Sequence, residues 1–336
     1  MKTIFFEIQD WEKDILLKTF PDATYTKEAL TEENAATYAD AEIVSTFIFT
    51  KGTKELLEKL PALKLITTRS TGFDHIDTDY CKEKGITACN VPEYGSRTVA
   101  EYTFGLMLML TRKLYPSVLQ SKECIFDTNV LEGVDLFGKT LGIIGLGRIG
   151  HEVLKIAKGF DMKLLVHTEY RHLVDEKEWG FEYAELDDLL ARADVITLHL
   201  PLLPSTQHIL NKDNITKIKK GAFLVNTARG GLIETEAIMI ALEKEILAGV
   251  ALDVLEEEKA IIDEAEYIQN PQQREVDFKT LCIDHVLMHH PKVLVTPHNA
   301  FNSHEALVRI LDTTTENIKA FTEGKPVHTV PPPQPK

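Results

Sequence analysis

The chain has 336 residues, 44% hydrophobic and 26% charged, with a formal net charge of −15. That is the composition of a folded protein long enough for two domains, and its negative field repels phosphate backbones and anionic lipid, so neither nucleic acid nor membrane is an expected partner. The most apolar stretch, Val99–Thr111, holds Glu101 and is too short to cross a bilayer, the amino terminus has no secretory pattern, and Cys81, Cys89, Cys124 and Cys282 form no C-x-x-C pair, so a cytoplasmic protein with reduced thiols is expected.

Short β-rich runs alternate with charged helical segments along the whole length, which predicts an α/β fold of two open parallel sheets. The first unit is expected to hold strands at Thr3–Ile8, Glu42–Phe47, Leu63–Thr67 and Ile86–Cys89, with helices at Trp11–Thr19 and Thr53–Leu60. Next comes Arg97–Leu114, where Val99, Tyr102, Phe104, Leu106, Met107 and Leu110 predict a helix apolar enough for an interdomain or subunit contact, and hence a homodimer. Six strands follow, at Thr140–Gly145, Lys163–His167, Asp194–His199, Ala222–Asn226, Val250–Asp253 and Val293–Thr296, each separated by a helical segment. This is the pattern of a doubly wound dinucleotide domain. In Ser303–Gly324, Ala306, Leu307, Ile310, Leu311, Ile318 and Phe321 recur at helical spacing, and this helix is expected to return to the first unit. The expected division is a substrate domain of 1–98 and 300–330, a dinucleotide-binding domain of 99–299, and a disordered Pro-rich tail of 331–336.

Gly145-Leu146-Gly147-Arg148-Ile149-Gly150 fits G-x-G-x-x-G between a strand and a helix. Glycines there permit a tight turn, close approach of backbone to a pyrophosphate, and close helix packing, while the helix start offers unpaired N–H groups. The acid that takes the adenosine ribose belongs about 20 residues on, at the end of the next strand. Thr168 occupies that position and a carboxylate follows at Glu169. Side chains alternate along a strand, so a shift of one residue turns the acid away. Two readings stay open: Glu169 bends round to the ribose of NAD, or Thr168 removes a repulsive charge and Arg171 or His172 meets the 2′-phosphate of NADP.

Arg229, a carboxylate within Asp253–Glu258, and His298 each follow a predicted parallel strand, at the edge where open α/β sheets bind ligands. An Arg holds a substrate carboxylate by a bidentate fork and polarises a carbonyl. A His hands a proton to the developing alkoxide, and an acid beside it fixes its tautomer. Together they suit hydride transfer between a nicotinamide cofactor and a small 2-keto acid. A nucleotide-sensing binding protein of the same fold is the competing reading, although a sensor needs no His with a carboxylate partner. His285, His289, His290 and His304 lack the acid or Cys that would complete a ligand spacing, so no metal is expected.

These residues, with Arg69-Ser70-Thr71-Gly72-Phe73-Asp74-His75-Ile76-Asp77, Val91-Pro92-Glu93-Tyr94, Val99-Ala100-Glu101-Tyr102-Thr103 and His199-Leu200-Pro201 in order, give the chain nearly end to end a pattern that resembles the D-isomer-specific 2-hydroxyacid dehydrogenases, most of all their lactate branch. The resemblance implies a Rossmann domain plus a flavodoxin-like substrate domain, with His298 as acid/base, Glu258 as its support and Arg229 on the substrate. It implies backbone N–H groups near Thr71 and Gly72 on the substrate carboxylate, with Tyr94 closing over it. On the cofactor it implies Gly145, Gly147, Arg148, Ile149 and Gly150 at the pyrophosphate, Leu200, Pro201 and Thr206 under the adenosine, and Thr227, Ala228 and Asp253 at the nicotinamide. Pyruvate is then the expected substrate, with hydroxypyruvate, phenylpyruvate or a longer 2-keto acid as alternatives. Three positions depart from the pattern: Thr168 stands where the family usually carries Asp, Asn299 where the lactate branch usually has an apolar residue, and Phe301 where Tyr is common.

Overall fold

The computed structural model describes residues 1–169, 171, 176–262 and 277–330, and the chain divides into two compact units, Met1–Tyr94 with Asn302–Lys336, and Gly95–Phe301. The tail at 331–336 lies outside the described residues.

The first unit is built on β1 (Thr3–Phe5), β2 (Thr24–Tyr25), β3 (Ile43–Thr46), β4 (Leu65–Thr68) and β5 (Thr87–Cys89), in the sheet order β2-β1-β3-β4-β5. All pairs are parallel. Parallel sheets bury both faces, and β1, β3 and β4 are buried at every residue, their Ser and Thr included. Ile4, Phe6, Val44 and Ile66 face one core cluster, and Phe5, Ile43, Leu65 and Cys89 face another. Helices α1 (Asp10–Leu16) and α7 (His304–Thr322) cover the second face through Leu16, Leu311 and Ile318. The sequence pattern anticipates four strands; the fifth, Thr24–Tyr25, is a two-residue edge too short to show a side-chain period.

A buried cation ties the strand ends of this unit together. Arg69 follows β4 and is only 2% exposed, and its guanidinium donates to the carbonyls of Phe6 (2.8 Å) and Glu7 (2.9 Å) and to Ser45 Oγ (3.2 Å). Glu7, in the left-handed region at φ 55°, accepts in turn from the N–H groups of Thr50 (2.6 Å) and Phe47. Burial pulls the guanidinium pKa down, and the charges of Glu12 and Glu7 oppose that shift.

The second unit holds β6 (Thr140–Ile144), β7 (Lys163–His167), β8 (Glu182–Tyr183), β9 (Val195–Leu198), β10 (Ala222–Asn226), β11 (Leu247–Leu252) and β12 (Val293–Val295). Their order, β12-β11-β10-β9-β6-β7-β8, winds outward in both directions from β6, as in a dinucleotide-binding sheet. Seven strands replace the anticipated six because Glu182–Tyr183 adds another two-residue edge, on β7. Helices α2 (Ser96–Thr111), α3 (Leu114–Lys122), α4 (Arg148–Gly159), α5 (Thr235–Glu243) and α6 (Phe278–Met288) belong to this unit.

The role expected of the apolar helix needs correction. Ala100, Phe104, Leu106 and Met107 of α2 are buried in one cluster with Leu141 and Ile143 of β6 and Val153 and Leu154 of α4. Their hydrophobicity covers this unit's own sheet, so it is no evidence for a subunit contact.

Replacing Arg69 by Met should destabilise the protein by about 2–4 kcal/mol, because buried carbonyl acceptors lose their donor. Equilibrium denaturation checks this, and an unchanged midpoint would contradict it.

Candidate active site

The carboxyl ends of the second sheet stop at one level. Pairing runs His167↔Ile144 from β7 to β6, Ile144↔Leu198 to β9, Leu198↔Asn226 to β10, Asn226↔Leu252 to β11, and Leu252↔Val295 to β12. The first residue beyond each strand is therefore Thr168, Gly145, His199, Thr227, Asp253 or Thr296. Candidates drawn from over a hundred positions of sequence stand side by side along this edge.

The glycine turn is shaped by what surrounds it. Gly145 has φ 99°, and a Cβ there would meet the His199 carbonyl oxygen at 2.7 Å; at Gly150 it would stand 2.1 Å from the Gly145 carbonyl oxygen. Gly147 is different, since a Cβ there would meet nothing within 4 Å. It is the N-cap of α4 and no side chain caps that end, so the helix start keeps N–H groups for an anion. Arg148 and Ile149 open the helix. Thr206 braces the loop after β9, donating to the Pro201 carbonyl at 2.6 Å and accepting from Leu203 N–H at 2.8 Å, beside the half-buried Leu200. Thr227 is buried, with its hydroxyl 2.9 Å from that of Thr103 on α2; Ala228 N–H donates to Asn226 Oδ1 at 3.0 Å. His199 is buried and neutral, its pKa pushed down to about 3 by desolvation.

At the position expected to meet the ribose, Thr168 is half-buried and Glu169 exposed. Arg171 is paired to Glu185 and lies over the Tyr183 ring at 5.6 Å. His172 lies outside the described residues.

The expected acid/base pair forms beyond two neighbouring strands at one side of the sheet, β11 and β12. His298 Nδ1 lies 3.0 and 3.2 Å from the two carboxylate oxygens of Glu258. With Nδ1 directed at a carboxylate, the imidazole presents Nε2 outward. His298 is held in the left-handed region at φ 51°, which a non-glycine residue adopts only under constraint. The constraint is Asp253, whose carbonyl accepts the His298 N–H at 2.8 Å. Its carboxylate accepts from Thr296 Oγ (2.5 Å), Asn299 N–H (2.9 Å) and Ala300 N–H (2.8 Å). Burial raises the Asp253 pKa and those hydrogen bonds oppose the rise.

Arg229 is exposed at the end of β10, donating to the Ala228 carbonyl at 2.7 Å, and no carboxylate pairs with it among the described residues. Asn226 Nδ2 donates to its carbonyl at 2.8 Å. A Cβ at Gly230 would stand 2.0 Å from the Leu255 carbonyl oxygen, so only glycine lets the Arg229 turn lie against the acidic loop. Strands β10 and β12 flank β11, placing the axes that carry Arg229 and His298 about 10 Å apart.

The run Glu256-Glu257-Glu258 looks like a solvated charge cluster in sequence, yet its members have separate tasks. Glu258 faces His298, while Glu256 pairs with His208 and accepts from the Thr235 hydroxyl at 2.8 Å. Sequence reasoning missed His208, Thr235 and Asn226; only Asn226, three residues before Arg229 at a strand end, carried a signal.

In the first unit Thr71 is exposed and Gly72 half-buried, on a loop after β4 braced by Thr71 Oγ on the Val91 carbonyl (2.8 Å) and Ser70 Oγ on the Gly72 carbonyl (2.6 Å). Tyr94 is half-buried, its carbonyl accepting from Arg309 Nε at 2.7 Å. No group of three or more His, Cys, Asp or Glu among the described residues is arranged to hold a metal ion.

Residues 104–300 match the NAD binding domain of the D-isomer specific 2-hydroxyacid dehydrogenases. The chain is 37% identical over 298 residues to a 2-hydroxyacid dehydrogenase homolog of Haemophilus influenzae, covering 88% of this chain and 87% of that one. It is 33% identical over 331 residues to D-lactate dehydrogenase of Escherichia coli, covering 97% and 98%. The chain belongs to the D-isomer specific 2-hydroxyacid dehydrogenase family. A crystal structure of D-lactate dehydrogenase from Aquifex aeolicus, complexed with NAD and lactic acid, superposes with a TM-score of 0.83 at 34% identity, covering 96% of each chain. The family consists of NAD-dependent oxidoreductases acting on D-2-hydroxy acids, and the two parallel-sheet domains of this chain are its architecture.

Proposed function

We propose that this protein is a D-lactate dehydrogenase, reducing pyruvate with NADH and a proton to D-lactate and NAD. The observation that carries the proposal is the His298–Glu258 pair at 3.0 Å, on strand ends in register with the one that bears Arg229. When bound, the dinucleotide supplies the hydride to the carbonyl carbon or takes it back. Arg229 holds the substrate carboxylate and draws electron density toward the carbonyl oxygen, a role suited to a guanidinium that no carboxylate among the described residues engages. His298 donates from Nε2 to the developing alkoxide and recovers that proton in the reverse direction, while Glu258 keeps Nδ1 engaged. Thr71 and Gly72 are the proposed backbone donors to the carboxylate, with Tyr94 closing over it. No hydrogen bond to either N–H occurs among the described residues, which supports that assignment. Arg148 and Ile149 are assigned to the pyrophosphate beside Gly145, Gly147 and Gly150, Leu200, Pro201 and Thr206 to the adenosine, and Thr227, Ala228 and Asp253 to the nicotinamide. A bulkier 2-keto acid is the alternative substrate, since Asn299 and Phe301 adjoin the catalytic histidine.

NAD is the proposed cofactor. Arg171 is engaged by Glu185 and the Tyr183 ring, which leaves it poorly placed to meet a 2′-phosphate, and Thr168 presents neither attraction nor repulsion. Weak discrimination is the consequence. The four cysteines are unpaired, which supports a reducing compartment and placement in the cytoplasm. We also propose a homodimer on grounds other than α2. Leu114, Tyr115 and Val118 on α3, with Phe126, Val130 and Phe137 after it, are exposed large apolar side chains, Phe126 to 83%, and apolar groups concentrated on one segment mark an interaction surface.

His298→Ala should lower kcat by about 10²–10⁴-fold, the usual worth of a general acid, with little change in KM, whereas Arg229→Ala should damage both. Equal, mild losses in steady-state assays with pyruvate would overturn the assignment. Thr168→Asp should raise the ratio of NADH to NADPH efficiency by about tenfold or more, since a carboxylate repels the 2′-phosphate; an unmoved ratio would place the discriminating residue elsewhere. Sedimentation at micromolar concentration should give a dimer that Phe126→Glu weakens, and a monomeric parent protein would exclude the dimer.

A further inference from the structure

We propose that Asp284, on α6, is a positioning residue for the acid/base pair, holding the backbone of the acidic loop from beneath so that Glu258 stays on His298. The proposal rests on the functional reading above. Thr280, Asp284 and Leu287 form the buried stripe of α6, at the i, i+4, i+7 spacing of a core-facing surface, and Leu287 enters the main core cluster of the unit. An acid in such a stripe is out of place, because burying a carboxyl group costs free energy unless a specific partner compensates. Asp284 is 0% exposed, and its partner is a backbone group: Oδ2 accepts the N–H of Glu257 at 3.1 Å.

The bond to Glu257 lies in the middle of a chain of attachments. On one side of Glu257, Glu256 is held by His208 and Thr235; on the other, Glu258 reaches His298. The Glu257 N–H thus anchors the point from which the Glu258 side chain departs. Asp284 Oδ1 has no hydrogen-bond partner among the described residues. Asp284 also lines a cavity of about 10 Å³ together with Asn226, Gly230, Thr235 and Glu256, room for about one water. The same small space touches the residue that braces Arg229, the glycine that lets the Arg229 turn approach, and the loop that carries Glu258.

The titratable groups around Asp284 favour its neutral form. The loop presents Glu256 and Glu257; α5 presents Thr235, and its Glu236 is paired with Lys212 and with Lys279 of α6. Desolvation first, then the two glutamates, raise the Asp284 pKa from 3.8 to about 7. A carboxyl group with a raised folded-state pKa contributes stability that is complete below pH 4 and is lost as pH climbs toward 7. Asp284→Asn keeps an acceptor and cannot ionise. Its thermal midpoint should therefore gain on the parent from pH 4 to 7 and hold that gain above.

The deciding test compares Asp284→Asn with Asp284→Ala and Asp284→Leu, the last removing the acceptor while filling the space. In pyruvate reduction, Ala and Leu should lower kcat by about tenfold with KM within about twofold, the split expected for a group that acts through the catalytic pair. The basic limb of their rate profile should move to lower pH, and Asn should restore both. Amide exchange at Glu257 should accelerate in Ala and Leu and stay slow in Asn, a readout that needs no turnover. Unchanged kcat and unchanged exchange would overturn the proposal, as would an Asn variant as impaired as Ala. A parent enzyme silent on every 2-keto acid would instead defeat the functional reading, and the exchange result would still decide whether Asp284 holds the loop.

Discussion

Parallel strand register is the constraint on which the site depends. Once β6 pairs in step with β7 and β9, and β9 with β10, β11 and β12, every strand ends at the same height, and whatever residue follows each end is delivered to one line. A slip of one residue between β11 and β12 would turn the side chains of the strand to the opposite face and take His298 out of reach of Glu258. The register is itself held by burial on both faces: Leu141, Val225 and Ala251 enter one core cluster, Leu198, Leu224 and Leu252 the other. Packing energy in the core is thereby converted into placement at the edge.

The edge then needs loops that stay put, and the chain secures them with buried polar groups. Asp253 gathers Thr296, Asn299 and Ala300 around one carboxylate, and Asn226 closes the turn before Arg229. Arg69 does the equivalent in the first unit, holding two backbone carbonyls that its burial leaves with no access to water. Each of these groups is costly if its partners are removed and modest in net worth while they are present. That asymmetry makes such anchors effective at fixing geometry: the alternatives to the native loop leave a buried group unsatisfied.

Much of this was legible in the chain itself. The glycine turn between a strand and a helix, and three chemical residues each following a β-rich run, identify a dinucleotide sheet and its reactive edge because those signals are local. The two-residue edges Thr24–Tyr25 and Glu182–Tyr183 were not legible, since two residues carry no alternation and pairing alone defines them. The helix α2 was visible as apolar, but apolarity does not say which surface it covers; the structure assigns it to its own sheet, and in this unit the exposed large apolar side chains begin after it, at Leu114. Three consecutive glutamates read as one charged run until the backbone turns them toward His208, the Asp277 backbone at the start of α6, and His298 respectively.

The sequence by itself determined the fold class and placed the glycine turn, Arg229, the acidic run and His298 each after a β-rich segment, because each depends on residue type and short-range spacing. Only the tertiary structure decided which glutamate serves His298, that Asp253 secures the loop of His298, and that Asp284 sits under the acidic run. Those assignments depend on which atoms meet across strands and helices 27 to 48 positions apart, and hydrogen bonding between such distant residues is set by register and burial, which no local pattern encodes.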